Sequence, residues 1–541
     1  MMMKQFLLLI VFVCISGTGL MAEPDSYVQK GDKFMKDFCF SLAAEQYKTA
    51  ADRDTNDIVA WEKLGNAYFI LDDYKNAEPV YKVLSTHPLA KVLDKFYYGQ
   101  VLRANGKYAE AQKAYTAFAD GAPTDLRSEE FKNFYESIQP YIEDKKQYDI
   151  LPLPQNTAAS EIGAAFYFEK MIFSSNGDKG WAIKHSDLGS TKPYYDMYEL
   201  KEGDTSKNNL PKKIKGKVNG RFNEGPATFS SDGCEMIFTR THTITKGTDH
   251  IRKLGLYQAD YNDKKGWVNI LPLPMNSFTY NVAHPSLSQD GQRLYFSSDM
   301  PGGFGETDIY VSEKNDSAWG FPVNLGPGIN TAGRELFPFI EDNTRLYFSS
   351  DSRVGLGGLD IHSAFLSSHQ WIYRTVLGAP INTTADDYGY VTDASGKKGF
   401  IVSNRAGGKG SDDIYTFTRH DSTVFHLPTV YFDSSSVGLR DDSKLKLDTV
   451  VALMQQYPHM IMEVSGHTSS KGSYEYNIFL SVERANMCLR YLVSKGIEIA
   501  RLLPVGYGEE RLINKCTDEH PCTEVENALN RRAEFKVAKV E

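Results

Sequence analysis

The sequence predicts a multidomain chain: an all-α solenoid, an all-β propeller of five to six blades, and a C-terminal α/β domain. Three observations predict it. Small and aromatic residues recur every 34 residues from about Tyr27 to Phe118. From Leu151 to Phe417 the period changes to roughly 50 residues, with short β-runs between Asp and Gly turns. From 425 onward, strand-like and helix-like apolar patterns alternate.

The 541 residues suffice for several domains, and a net charge of −9 argues against nucleic acid as a partner. Residues 1–22 read as a signal peptide. Lys4 supplies its positive end, and Phe6 to Ile15 is an apolar run too short to span a bilayer. Leu20-Met21-Ala22 offers the cleavage site, leaving Glu23 as the mature start. A lipidated Cys14 is disfavoured, because Val11-Phe12-Val13 lacks the small residue wanted before the cysteine. The chain is therefore expected in the periplasm, where disulfides persist. Cys516 and Cys522 flank a short loop without metal-site spacing, so a disulfide between them is favoured, and no metal or cofactor is expected. Cys39, Cys234 and Cys488 sit among apolar neighbours and are read as buried thiols.

The helical part is assigned to residues 23–145. Gly31, Gly65 and Gly99 form one series, and Phe40, Tyr74 and Tyr108 another. Ala43, Ala77 and Ala111 form a third, and Tyr47, Tyr81 and Tyr115 a fourth. Small residues let helices approach while aromatics fill the space between pairs. The spacing is that of tetratricopeptide repeats, with three units and a closing helix near Glu129 to Ile138. Such a solenoid offers a groove for a partner protein, or serves as a rigid spacer.

The β-part is assigned to residues 150–420. Its clearest unit has an Asp290-Gly291 turn, the run Leu294-Tyr295-Phe296, Gly302-Gly303, then Asp308-Ile309-Tyr310. A second unit has Asp342-Asn343, Leu346-Tyr347-Phe348, Gly357-Gly358 and Asp360-Ile361. A third has Ile401-Val402, Gly407-Gly408 and Asp413-Ile414-Tyr415. Weaker units surround Met171 to Asn176 and Pro226 to Tyr257, and a degenerate sixth is sought near Lys212 to Arg221. The connectors end on Asn156, Asn276, Asn330 and Asn382. Asp-Gly and Asp-Asn suit hairpin turns that need positive φ. The repeated aspartates are read as turn caps rather than as metal ligands or catalytic acids. The units look like the WD-related repeats of TolB-type propellers.

In the last part, strands are expected near 428–433, 460–465, 503–507 and 533–537. Helices are expected near 443–456, capped by Arg440-Asp441-Asp442-Ser443, and 474–495. Asn477, Leu480, Ser481 and Arg484 then share one face of the second helix. An Arg facing the protein body needs an anionic partner. The motifs fall in order: Gly466-His467-Thr468-Ser469 with Gly472, then Asn477, Leu480-Ser481 and Arg484-Ala485, then Gly506-Tyr507-Gly508-Glu509 and Asn530-Arg531-Arg532. Together they resemble the peptidoglycan-binding signature of OmpA-like domains.

The resemblance implies a site for the diaminopimelate residue of a peptidoglycan stem peptide. Arg484 would hold the carboxylate, with Thr468 and Asn477 assisting. The family's Asp that grips the ammonium is Ser469 here. A charged hydrogen bond is worth about 1.5–3 kcal/mol, roughly tenfold to a hundredfold in affinity. Binding is therefore weakened, or a nearby acid such as Glu475 replaces the Asp, or the activity is lost.

No G-x-S-x-G elbow, phosphate loop or H-E-x-x-H occurs, so no enzyme is expected. The expected role is a non-enzymatic cell-envelope scaffold, periplasmic and outer-membrane associated. Residues 425–541 would tether it to peptidoglycan, while helical repeats and propeller bind envelope proteins. The rival is a propeller-based sugar-binding protein or enzyme located at the wall by its last domain.

Overall fold

A computed structural model describes residues 26–36, 39–143, 147–177, 194–201, 209–246, 249–315, 318–367, 370–420, 427–458, 460–517, 520 and 522–539. The expected signal peptide with its cleavage site after Ala22, and the linker residues 421–425, lie outside the described residues. The chain forms two compact units that divide at Asp94. Among the described residues, no helix is long and apolar enough to cross a membrane.

The first unit holds helices Ser26–Lys36, Phe40–Arg53, Ile58–Ile70 and Tyr74–Thr86. The Asp57 carboxylate caps the third, accepting from the Val59 and Ala60 amides at 3.0 and 3.1 Å. Asp73 caps the fourth through the Asn76 amide at 3.2 Å. A Cβ on Gly31 would stand 2.3 Å from the Tyr47 ring, so only glycine permits this helix contact. The Tyr47 hydroxyl donates to Asp32 at 2.7 Å, and Lys63 donates to the same carboxylate.

The second unit opens within helix Val92–Ala104 and continues with helix Tyr108–Gly121, where Gly99 meets Tyr115 as Gly31 meets Tyr47. The closing helix expected near Glu129 to Ile138 is two helices, Leu126–Phe131 and Phe134–Ile142. The break lets Phe131 and Phe134 both reach Tyr115, with ring centroids 4.6 and 4.9 Å away. Arg103 leaves this helical layer and is buried among the β-sheets. Its guanidinium donates to the carbonyls of Arg353, Asp351 and Gly358 at 2.8, 3.0 and 3.0 Å. Gln100 and Tyr108 donate to the Asp351 and Leu356 carbonyls at 2.7 and 3.0 Å.

Five antiparallel sheets follow. The first comprises Glu161–Tyr167, Lys170–Ser175, Asp196–Lys201 and Lys212–Lys213. The second comprises Glu224–Phe229, Glu235–Lys246, Asp249–Asn262 and Gly266–Pro272. The third has Val282–Leu287, Arg293–Ser298 and Asp308–Asn315, with Ala318–Trp319 and Val323–Asn324 on its outer edge. The fourth comprises Glu335–Ile340, Arg345–Ser350, Asp360–Ser367 and Gln370–Val376. The fifth takes Asp387–Thr392, Lys398–Ser403 and Asp413–Arg419, and its outer strand is the early segment Tyr148–Pro152. The first strand of each sheet packs against the first strand of the next, and Asp387–Thr392 packs against Glu161–Tyr167.

One device recurs in all five sheets. An asparagine amide pairs with both backbone groups of one residue on the third strand, as a neighbouring strand would. Asn330 accepts from the Ile309 amide at 2.8 Å and donates to its carbonyl at 3.0 Å. Asn156, Asn276 and Asn382 treat Ile414, Leu256 and Ile361 alike. Asn219 does so to Met197, at 2.7 and 2.9 Å. The segment Lys212 to Arg221 is therefore not a degenerate sixth unit. It supplies the outer strand and the Asn connector of the first sheet. Asp308 accepts the Phe304 and Gly305 amides at 2.6 and 3.1 Å, and Asp360 accepts Gly357 at 2.9 Å. These aspartates fold the glycine loops onto themselves.

Glu224 is the electrostatic weak point of the second sheet. It is 1 % exposed, and burial lifts its carboxyl to about 7 despite Arg240 at 3.4 Å. A raised acid is neutral to stability below the ordinary carboxylate pKa and destabilises the fold increasingly as pH rises from there through about 7. Glu224→Gln should leave the unfolding midpoint unchanged at pH 5 and stabilise the protein by about 1–3 kcal/mol at pH 8. Equal shifts at both pH values would contradict this assignment.

The C-terminal domain has a four-stranded sheet in the order Val430–Tyr431, Arg532–Lys539, Ile461–Gly466, Leu502–Gly506. The last two strands are parallel and the other pairs antiparallel. Helices Asp441–Gln456 and Tyr474–Ser494 pack on it around Leu447, Val450, Met462, Val464, Cys488 and Leu492. Arg440 stands at the first helix's N-cap without a side-chain cap bond, and Ser443 turns instead to the Tyr431 carbonyl at 3.3 Å. Asp441 and Asp442 still favour that end through the helix dipole. A further short helix, Glu524–Asn530, carries a Thr523–Glu526 capping box. Cys516 and Cys522 form a disulfide with Cα atoms 5.3 Å apart. Of the three free cysteines among the described residues only Cys488 is buried. Cys39 is half-buried, and Cys234 is exposed in a hairpin turn, where its apolar neighbours belong to the strands rather than the turn.

Candidate functional site

Ladder, helix and loop converge at the C-terminal ends of the two parallel strands. The strands run in register as far as Gly466 opposite Gly506. Beyond them the Tyr507 amide donates to the Gly466 carbonyl at 2.9 Å, and the Thr468 amide to the Gly508 carbonyl at 2.8 Å. Ser473 opens the long helix by accepting the Tyr476 amide at 3.2 Å. One turn in, Asn477 donates to Glu509 at 2.6 Å. Ser481 accepts the Gly508 amide at 2.9 Å, holding the Gly506–Glu509 turn on the helix.

Asn477, Leu480, Ser481 and Arg484 are all buried along the same helix face. Arg484 is completely buried. Its guanidinium donates to the carbonyls of His467 at 2.9 Å, Ser436 at 3.0 Å and Asp433 at 3.1 Å, and lies 5.2 Å from the Phe432 ring. The anionic partner expected from sequence is thus replaced by three carbonyl dipoles. Among the described residues no carboxylate bonds it. Burial first, then the neighbouring Arg531, pull its pKa down to about 10, so it remains a cation at neutral pH. Three of its five N–H donors are engaged.

Thr468 and Ser469 are 2 % and 6 % exposed, and the Thr468 hydroxyl is buried without a partner among the described residues. His467 stacks on Tyr507 at 5.4 Å, and burial and Arg532 hold it neutral, at about 3. Glu475 is exposed and stands two residues before Asn477, hence on the other side of the helix. Two residues of the site were not singled out from sequence. Arg531 bonds Glu524 at 2.7 Å and lies beside Arg484, and Glu509 is bonded to Asn477. Both belong to motifs already visible, Asn530-Arg531-Arg532 and Gly506-Tyr507-Gly508-Glu509.

Residues 431–521 match the OmpA family. The chain is 31% identical over 146 residues to the peptidoglycan-associated lipoprotein of Pseudomonas aeruginosa, covering 27% of this chain and 83% of that protein. The chain belongs to the OmpA family. Similarity extends to the peptidoglycan-associated lipoprotein of Rhizobium meliloti, 31% identical over 111 residues, 20% of this chain and 63% of that one. The chain thus spans less than two thirds of that relative. The crystal structure of the peptidoglycan-associated lipoprotein from Burkholderia pseudomallei is 28% identical, covering 20% of this chain and 86% of that one, with a TM-score of 0.19. The OmpA-family match lies wholly within the last domain.

In the β-sheets two of the buried acids are bonded locally. Glu335 accepts from Thr331 and Ser350, and Asp387 from Thr383. Buried acids whose bonds stay inside their own sheet serve the sheet.

Proposed function

We propose that the C-terminal domain binds the stem peptide of peptidoglycan and that the whole chain is a non-enzymatic cell-envelope scaffold. The observation that carries this reading is the electrostatics of Arg484. A buried guanidinium beside a second one, with only carbonyls for partners, gains from an incoming carboxylate. In this reading the carboxylate of a diaminopimelate residue displaces the Ser436 or Asp433 carbonyl. The Thr468 hydroxyl and Ser469 then complete its hydrogen bonds, and Asn477 holds the wall of the site. The relatives' shared description as peptidoglycan-associated supports the ligand class.

The remaining assignments accompany it. The helix pairs of residues 23–145 are tetratricopeptide repeats, and the five sheets of 150–420 are blades of a TolB-like propeller, which Tyr148–Pro152 closes. The third repeat uses Gln100, Arg103 and Tyr108 on its own chain's sheets, so partner proteins are held by the first two repeats and the propeller. A signal peptide cleaved after Ala22 delivers the chain to the periplasm, where it associates with the outer membrane.

The test is sedimentation of the purified mature chain with insoluble peptidoglycan. The protein should pellet with diaminopimelate-type wall and not with lysine-type wall, whose stem residue lacks the second carboxylate. Equal pelleting with both would remove the carboxylate from the recognition, and no pelleting with either would end the reading.

A further inference from the structure

We infer that Glu509 is the acid that recognises the ligand's ammonium, in place of the absent carboxylate at Ser469. This rests on the proposed stem-peptide site. The bond between the Thr468 amide and the Gly508 carbonyl is the last across the parallel pair, and Ser469 and Glu509 are the residues that follow it on the two chains. Glu509 is thus the acid that directly follows this bond, and its carboxylate is held by Asn477 of the long helix. Asn477 donates to Glu509 and leaves the rest of the carboxylate free to accept. Glu509 is half-buried, open enough to meet a ligand and sheltered enough for a charge-assisted bond to count.

A second observation marks the same place as one that takes a polar ligand group. The Thr468 hydroxyl, next to Ser469, is buried and has no partner among the described residues. A buried donor left unmade is costly, and a bound polar group at this place relieves it. The cation side is Arg484, with two N–H donors unengaged among the described residues. A cation and an acid on neighbouring elements suit a carbon that carries both carboxylate and ammonium, and a plain carboxylate would leave Glu509 repelling it. The other acids near the loop are occupied or turned away. Glu524 is bonded by Arg531 and Lys471, Glu510 by Tyr474, and Glu475 lies on the far side of the helix.

The test measures binding of a soluble muropeptide that ends in meso-diaminopimelate, and of the same muropeptide acetylated on its free amine. Full-length mature protein is used, with the variants Glu509→Gln, Glu475→Gln and Ser469→Asp/Glu509→Gln. Glu509→Gln should weaken the free-amine ligand at least tenfold and leave the acetylated ligand unchanged. Glu475→Gln should bind like the unmutated protein, and Ser469→Asp should restore the Glu509→Gln variant. If the unmutated protein binds and Glu509→Gln binds equally, the assignment of Glu509 fails while the stem-peptide site stands. If Glu509→Gln weakens both ligands alike, Glu509 only positions Asn477, and the inference is likewise overturned. If the unmutated protein binds neither ligand, the site itself is wrong, and the inference falls with it.

Discussion

Replacing Arg103 with Met should destabilise the unit that begins at Lys95 by about 3–5 kcal/mol, the range for removing one partner of a buried charged network. Arg103 is 1 % exposed and serves three carbonyls of the glycine loop between Asp351 and Gly358. Methionine fills much of its volume but withdraws the donor from the Arg353 and Gly358 carbonyls, leaving only Gln100 on that of Asp351. It also removes the cation that acts most strongly on Asp360, a fully buried acid that burial has already lifted to about 7. Without Arg103 its pKa climbs further. A raised acid is harmless below its unfolded pKa and destabilising once pH passes that value. The deficit should therefore be smaller at pH 5, where Asp360 is protonated, than at pH 8. Urea unfolding followed by tryptophan fluorescence at the two pH values reads both the size and the trend. A loss under 1 kcal/mol would mean that the helices do not depend on this anchor, and a loss independent of pH would detach Arg103 from Asp360.

This anchor was invisible in the sequence for a physical reason. A buried arginine normally advertises itself through a carboxylate at helical or strand spacing, whereas Arg103 is satisfied by main-chain oxygens from a remote loop. Arg484 repeats the lesson: its helix face was legible from periodicity, but its carbonyl partners were not. Regular features were read with more success. Helices beginning at Ile58, Tyr74 and Tyr108 follow the repeat of small and aromatic residues, because close helix packing demands those residues at that spacing. The Asn connectors are visible in the sequence as a motif, but their chemistry, an amide standing in for a strand, depends on a partner strand that spacing does not identify. Asn219 escaped because its connector lacks the Leu-Pro or Gly-Pro context of the others, and because its strand, Lys212–Lys213, is too short to show alternation. Glu509 was read as a motif letter. Its place in the site depends on how the turn after Gly506 is seated on the helix through Asn477 and Ser481.

The alignment of Gly466 with Gly506 explains these glycines, and it supports the second large effect. Gly466→Ala should cost about 3 kcal/mol or more, at the upper end of what overpacking a well-filled interior does. A Cβ on Gly466 would stand 2.0 Å from the Ser481 carbonyl oxygen and 2.9 Å from its carbon, both backbone atoms of the long helix that cannot rotate away. Its ladder partner Gly506 faces Val482 and the Ser481 hydroxyl at 2.5 and 2.6 Å. The pair therefore lets the helix lie directly on the parallel strands. Relief of the clash requires the helix to retreat from the sheet. Retreat strains the Ser481 bond to the Gly508 amide and the Arg484 bond to the His467 carbonyl, at 2.9 Å each. Those two bonds seat the Gly506–Glu509 turn and the Thr468–Ser469 segment that form the candidate site. Stability and stem-peptide binding should thus fall together in Gly466→Ala. In Gly438→Ala, whose Cβ would meet only the Ser436 hydroxyl at 3.4 Å, both should change little. Calorimetric unfolding of the two variants beside the unmutated chain separates the cases. An unfolding temperature for Gly466→Ala equal to that of Gly438→Ala would show that the helix is not seated on the strands as described. Retained stability with lost binding would instead place Gly466 in direct contact with the ligand.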